Sequence, residues 1–143
     1  DFLRVVNAET AELPLSERTR RRVDAALANA EANPHGFQLL ARARTSWPED
    51  DAEAGRELQD RLVAVMADNY RRESRAAGTP IDAAAELLAR LTFSMADQAI
   101  AMRAADDSWN RAALVEFLAS FIEGGIAAVD AEVWQALEQR HQG

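Results

Sequence analysis

The stretch Gly78–Val129, GTPIDAAAELLARLTFSMADQAIAMRAADDSWNRAALVEFLASFIEGGIAAV, decides the fold. Within Ile81 to Met102 the polar residues Asp82, Glu86, Arg90, Ser94 and Asp97 recur at spacings of four and three, which makes one narrow stripe on a helix. The rest of that segment is apolar. In Ala112 to Val129 the pattern returns, with Glu116, Ser120 and Glu123 on one line and Leu114, Leu118, Phe121, Ile122 and Ile126 facing elsewhere. Two neighbouring helices that are apolar around most of their circumference need cover on more than one side. A chain of 143 residues has too little of itself to supply it all, so the expectation is a helical pair that builds a symmetric dimer.

A helical wheel divides the first of these helices into two faces. Ala84, Leu88, Leu91, Met95 and Met102 form a large-residue face, assigned to the domain's own interior. Ala85, Ala89, Thr92, Ala96 and Ala99 form a small-residue face, which allows a second helix to approach towards the low end of the usual interaxial range of about 8 to 10 Å. That face is assigned to the mate. On the following helix Gly125 lies with Leu118, Ile122 and Val129, where an internal glycine costs roughly 1 kcal/mol relative to alanine unless close packing offsets it. The expected interface is therefore Ala89, Thr92, Ala96, Leu114, Leu118, Phe121, Ile122 and Gly125. Ordinary monomer-core packing of both faces is the competing reading.

Helix punctuation outside this stretch gives an all-α chain of roughly six to seven helices, with almost no strand-like alternation. Residues 1 to 12 read as a short helical segment ending before Pro14, and Ser16 as the cap of a helix to about Ala32. Asn33 and Pro34 suit the cap and first position of a short helix that carries Phe37, Leu39, Leu40 and Ala43 and ends near Trp47 and Pro48. The acids Glu49, Asp50, Asp51 and Glu53 suit the positive end of a long helix to about Ala77, whose expected core stripe is Leu58, Leu62, Val65, Met66 and Asn69. Gly78 closes it, and Thr79 with Pro80 opens the next. Asp106, Asp107 and Ser108 make the following turn and the cap of the next helix, and Asp130 starts a last short helix with Val133, Trp134 and Leu137.

Composition bounds the function. Hydrophobic content of 48% with 28% charged residues fits a folded domain rather than a disordered chain. No apolar run of membrane-spanning length and no leader pattern is present, so a soluble, cytoplasmic protein is expected. Cysteine is absent, which removes disulfides, thiolate nucleophiles and cysteine metal sites; lysine is absent too, which removes Schiff-base chemistry and the P-loop cation. The net charge of −8 argues against direct nucleic-acid binding. It is unevenly spread, with 14 acids against 12 arginines in residues 1 to 75 and 10 against 4 beyond. The second half is both acidic and apolar.

The layout resembles the C-terminal regulatory domain of the tetracycline-repressor (TetR) family of transcription factors over essentially the whole chain. The residues that carry the resemblance are Asn33-Pro34-His35-Gly36-Phe37-Gln38-Leu39-Leu40, the long central helix, the Gly78-Thr79-Pro80 start, and Leu118-Ala119-Ser120-Phe121-Ile122-Glu123-Gly124-Gly125-Ile126. The resemblance implies a domain, residues 13 to 143, that dimerises through a four-helix bundle and holds a small effector in an internal cavity. DNA would be reached only through an N-terminal helix-turn-helix head, which is missing ahead of Asp1; residues 1 to 12 would be a remnant of the connecting helix. A first residue other than methionine fits a trimmed chain.

An effector cavity needs bulky apolar walls with a few inward polar groups. Phe37, Leu40, Trp47, Leu62, Met66, Tyr70, Phe93 and Met95 are the wall candidates, and Asn69 and Gln98 the polar contacts. Asn69 lies in line with Leu58, Leu62 and Val65, where a buried amide left unpaired costs about 1 to 3 kcal/mol. A ligand or a backbone carbonyl would each meet that demand. Arg18, Arg20, Arg21 and Arg22 form a basic cluster, but Glu17 and Asp24 flank it as on a solvated helix. Glu138 and His141 have one half of a di-iron spacing, without the second pair such sites need. His35 has no sequence partner, and no serine sits in a nucleophile elbow. No enzyme chemistry, cofactor or metal is expected. The alternatives from other classes are a helical homodimeric interaction module without a ligand and an enzyme using the bundle interior.

Overall fold

The computed structural model describes residues 12–38 and 49–139, and within them the protein is all-α with no strand. The helices are α1 (Leu15–Ala32), α2 (Glu49–Ala76), α3 (Ala83–Ala105), α4 (Arg111–Ala128) and α5 (Ala131–Gln139), with a further helical turn at residues 34–38. The expected segment at residues 1 to 11, and Leu39, Leu40, Ala43 and Trp47 of the short helix, lie outside the described residues. Among these elements no single helix is long and apolar enough to cross a membrane, and α4 bends by 83° into α5.

Local chemistry accounts for most boundaries. Gly78, at φ 77°, ends α2 in a Schellman arrangement: the Gly78 amide donates to the Arg75 carbonyl (3.1 Å) and the Thr79 amide to the Ser74 carbonyl (3.0 Å). Asn110 caps α4, its side chain accepting from the Ala113 amide at 3.0 Å. Three expected caps are displaced, that of α4 from Asp106, Asp107 and Ser108 to Asn110. Pro14 rather than Ser16 precedes α1, and α3 begins after Asp82, three residues later than Thr79 and Pro80 proposed. Neither Pro14 nor Asp82 supplies a side-chain cap to its helix. At α3 the missing cap comes from α5: the Glu138 carboxylate accepts from the amides of Asp82 (3.0 Å), Ala83 (3.0 Å) and Ala84 (2.9 Å). A negative charge there also complements the helix dipole. Glu138 is thus a tether between the last helix and the central one, far from a metal-ligand role.

α3 is the hub, packing against α1, α2, α4 and α5, while α1 packs along α4. The α1–α4 pair is antiparallel, since Arg20 meets Glu116 and Asp24, further along α1, meets Arg111. Two apolar clusters follow. One joins α1, the C-terminal half of α3 and α4 through Val23, Leu27, Ala99, Val115, Leu118 and Ile122, with Met95, Ile100 and Ile126 against it. The other joins α2 to the N-terminal half of α3 through Val63, Ala67, Ala85 and Ala89, with Met66, Tyr70, Ile81 and Phe93 against it. The stripe of α2 that faces the core is therefore Val63, Met66, Ala67 and Tyr70. Leu58, expected in it, is exposed.

The small-residue face of α3 is where α2 seats. Ala85 and Ala89 are both 0% exposed against Val63 and Ala67, because only small side chains let the two helices approach. This corrects the assignment of faces. Ala89 has no surface left for a second chain, Thr92 turns inward to Tyr70, and Leu118 and Ile122 belong to the α1–α4 core. Of the leucines assigned to the interior, Leu91 is 52% exposed and Leu88 half-buried, while Leu87, outside that assignment, is 45% exposed.

Candidate functional site: an uncovered apolar face and an inner polar seam

Phe117 and Phe121 are the most exposed large apolar residues described, at 63% and 59%. Their rings stack on one another at 5.9 Å between centroids with 23° between planes. Helical spacing places Leu114, Phe117, Phe121, Gly124, Gly125 and Ala128 on one side of α4, opposite the buried line of Val115, Ala119 and Ile122. Leu114 is half-buried and Gly124, Gly125 and Ala128 are exposed. A side-chain carbon added at either glycine would meet nothing within 4 Å, so the two glycines form an open shallow recess beside the aromatic pair. On α3, Leu87 and Leu91 lie on the flank next to Met95, which packs on the cluster that α4 shares. Exposed apolar side chains thus stand on both α3 and α4.

The size of this surface can be set against what association requires. A whole aromatic side chain presents roughly 150 to 250 Å², so Phe117 and Phe121 leave on the order of 200 Å² in water, equivalent to about 5 kcal/mol per chain at roughly 25 cal/mol per Å². Two chains would gain about 10 kcal/mol against an association cost of about 4 to 15 kcal/mol. The aromatics alone roughly break even. Burial of Leu87, Leu91, Leu114 and Ala128 as well would add to the gain.

A polar seam lies where α1, α2 and α3 meet. Glu73 of α2 accepts from both Arg22 (2.9 Å) and Arg18 (3.4 Å) of α1, all three side chains being largely buried. One turn earlier, the Tyr70 hydroxyl shares a 2.7 Å hydrogen bond with the Thr92 hydroxyl of α3. The Arg22 Nε is buried without a hydrogen-bond partner. The basic run is accordingly a set of internal ties: besides these, Arg20 grips Glu116 of α4 in a bidentate pair and Arg21 pairs with Glu17. Exposed pairs of this kind contribute little each, at about 0 to 1 kcal/mol. Glu17 is held below the usual carboxylate range by the hydrogen bonds of Arg21 and Arg20, and Glu116 by that of Arg20. The seam was missed at sequence level, although the four-residue spacing of Arg18 and Arg22 does place them on one face.

Tyr70 offers a direct probe of this seam. Burial pushes its phenol up from the ordinary value, against a smaller opposing effect of the Thr92 hydrogen bond. It is the only tyrosine, so tyrosinate absorbance reports it alone. The expected titration midpoint of the folded protein lies above that of free tyrosine, near 10. A raised folded value means that this group's stabilising contribution is complete below about pH 10 and is lost as pH rises beyond it. A midpoint equal to that of free tyrosine, in protein still folded, would contradict the burial.

The wall candidates separate in space. Met66, Tyr70 and Phe93 are brought together, but as packing on the α2–α3 cluster, and Leu62 is half-buried on α2. Met95 packs on the other cluster. Asn69 is buried, and its carbonyl oxygen accepts from Arg72 one turn along, so part of its hydrogen-bonding demand is met within α2. Gln98 is exposed. Leu40 and Trp47 fall outside the described residues. Phe37 lines a cleft of about 330 Å³ between the end of α1, the 34–38 turn and the end of α3, with Leu27, Ala30, Ile100 and Arg103. Of the interface candidates, Leu114, Phe121 and Gly125 retain accessible surface, and Ala96 is half-buried. Among the described residues no group of three or more acidic, histidine or cysteine side chains is placed to hold a metal ion.

Comparison with protein-family models, with curated proteins and with solved structures yields no match.

Proposed function

We propose that this chain is the dimerising, effector-sensing domain of a TetR-like transcriptional regulator. The observation that carries this reading is the apolar face of α3 and α4, where Leu87, Leu91, Phe117 and Phe121 stand in water beside an open glycine recess. Two helices from each of two chains would close it as a four-helix bundle. A small, largely apolar effector is the second element. The Phe37 cleft supports it as a place where the apolar walls Leu27, Ala30 and Ile100 adjoin a few polar groups. DNA would be contacted only by a head outside this chain, and the effector would act by preferring one arrangement of the two heads.

The test has two parts. Sedimentation velocity at micromolar concentration is expected to give twice the 15.7 kDa chain mass. A library of small apolar compounds is expected to contain members that raise the melting temperature and change tryptophan emission. A stable monomer removes the regulator reading, whereas a dimer that responds to no compound favours an interaction module without a ligand.

A further inference from the structure

We propose that α4 meets its own copy antiparallel, about a two-fold axis beside Phe121, so that Phe117 of each chain seats in the Gly124–Gly125 recess of the other. This rests on the dimer reading above and specifies its register. A two-fold interface is self-complementary: if one position touches another, the reverse contact also forms. Around an axis at Phe121, positions equidistant from it come together. Phe117 stands four residues before it and Gly125 four after; Leu114 stands seven before and Ala128 seven after. Each pair sets a large side chain against a small one, and only Phe121 meets itself.

Other registers fit worse. A parallel pairing would set Phe117 on Phe117 and leave Gly125 facing Gly125 across a void, which forfeits packing on both counts. An antiparallel axis at Phe117 would carry the glycines past Asn110, the end of the helix. An axis at Gly124 would carry Phe117 to Ala131, past the end of the helix at Ala128. The Phe121 axis also falls midway between Leu114 and Ala128, so the whole exposed face is used. Glu116, Ser120 and Glu123 point away from it, and Glu116 is already engaged by Arg20. Like charges are thereby kept off the axis in a chain of net charge −8. The open space at both glycines lets the mate's ring approach the helix backbone.

The absence of cysteine makes the register readable by single-cysteine variants under mild oxidation. Phe121→Cys is expected to form a disulfide with its own copy. Phe117→Cys and Gly125→Cys, mixed, are expected to give the heterologous disulfide at a yield roughly tenfold above either self-disulfide. The reason is geometric: at 1.5 Å rise per residue, Phe117 and its own copy would stand about 12 Å apart along the bundle, beyond the roughly 7 Å that a disulfide spans between Cα atoms. Sedimentation of the same reduced variants separates the two levels of the argument. Dimers in which Phe117→Cys joins itself, or in which none of the three variants cross-links, overturn the register and leave the dimer standing. Monomers overturn both.

Discussion

If the chain dimerises as proposed, Phe121→Glu is expected to convert that dimer to a monomer while leaving the fold of each chain nearly unchanged. In a single chain Phe121 is 59% exposed, so a polar replacement costs the monomer little. In the proposed dimer it lies beside its own copy. The change removes two buried phenylalanines, each contributing about 1.5 to 3 kcal/mol, and sets two carboxylates against each other in a desolvated contact. Together these losses amount to on the order of 5 kcal/mol, or a rise in dissociation constant of roughly a thousandfold or more. Ser120→Glu, one position away but on the polar line, is the matched control and is expected to dimerise normally. Sedimentation equilibrium on both variants, with far-ultraviolet dichroism to verify helix content, makes the measurement. Undiminished dimerisation by Phe121→Glu would take the α4 face out of the interface.

Ala89→Leu is expected to act on the opposite quantity, destabilising the chain itself. The site is 0% exposed between Val63, Ala67 and Ala85, where α2 and α3 approach through small side chains. Three more methyl-sized groups have no room there without parting the helices. Overpacking of this kind costs about 1 to 3 kcal/mol, which for a domain of this size lowers the melting temperature by roughly 4 to 12 °C. Because dimerisation would itself raise apparent stability, the cleanest reading is calorimetry in a Phe121→Glu background. Were Ala89 on the dimer seam, as its face of α3 first implied, that background would show no change in melting temperature.

These two positions also mark the limit of what the pattern of residues could say. That α3 and α4 are helices apolar on more than one side, and where α2 stops, follow from local rules: the 3.6-residue period and the left-handed glycine at Gly78. Each depends on residues within a turn of one another. Which side of α3 receives which neighbour depends on helices distant in the chain. Small residues permit close approach by any helix, and α2, joined to α3 by a tight turn, takes that face before a second chain could. The leucines Leu87 and Leu91 are then left outside.

The same distinction separates the tethers. Glu138 looked like half of a metal motif and the arginine run like a solvated face. Tertiary structure places Glu138 on the α3 amides and Arg18 and Arg22 on Glu73, contacts that join residues more than 50 positions apart. The sequence by itself determined an all-α chain whose third and fourth helices are apolar around most of their circumference, because helix period and caps are local. Only the tertiary structure decided that the uncovered surface is the Phe117–Phe121 face of α4 with the Leu87–Leu91 edge of α3, because a helix face is assigned by competition among all the surfaces that can reach it.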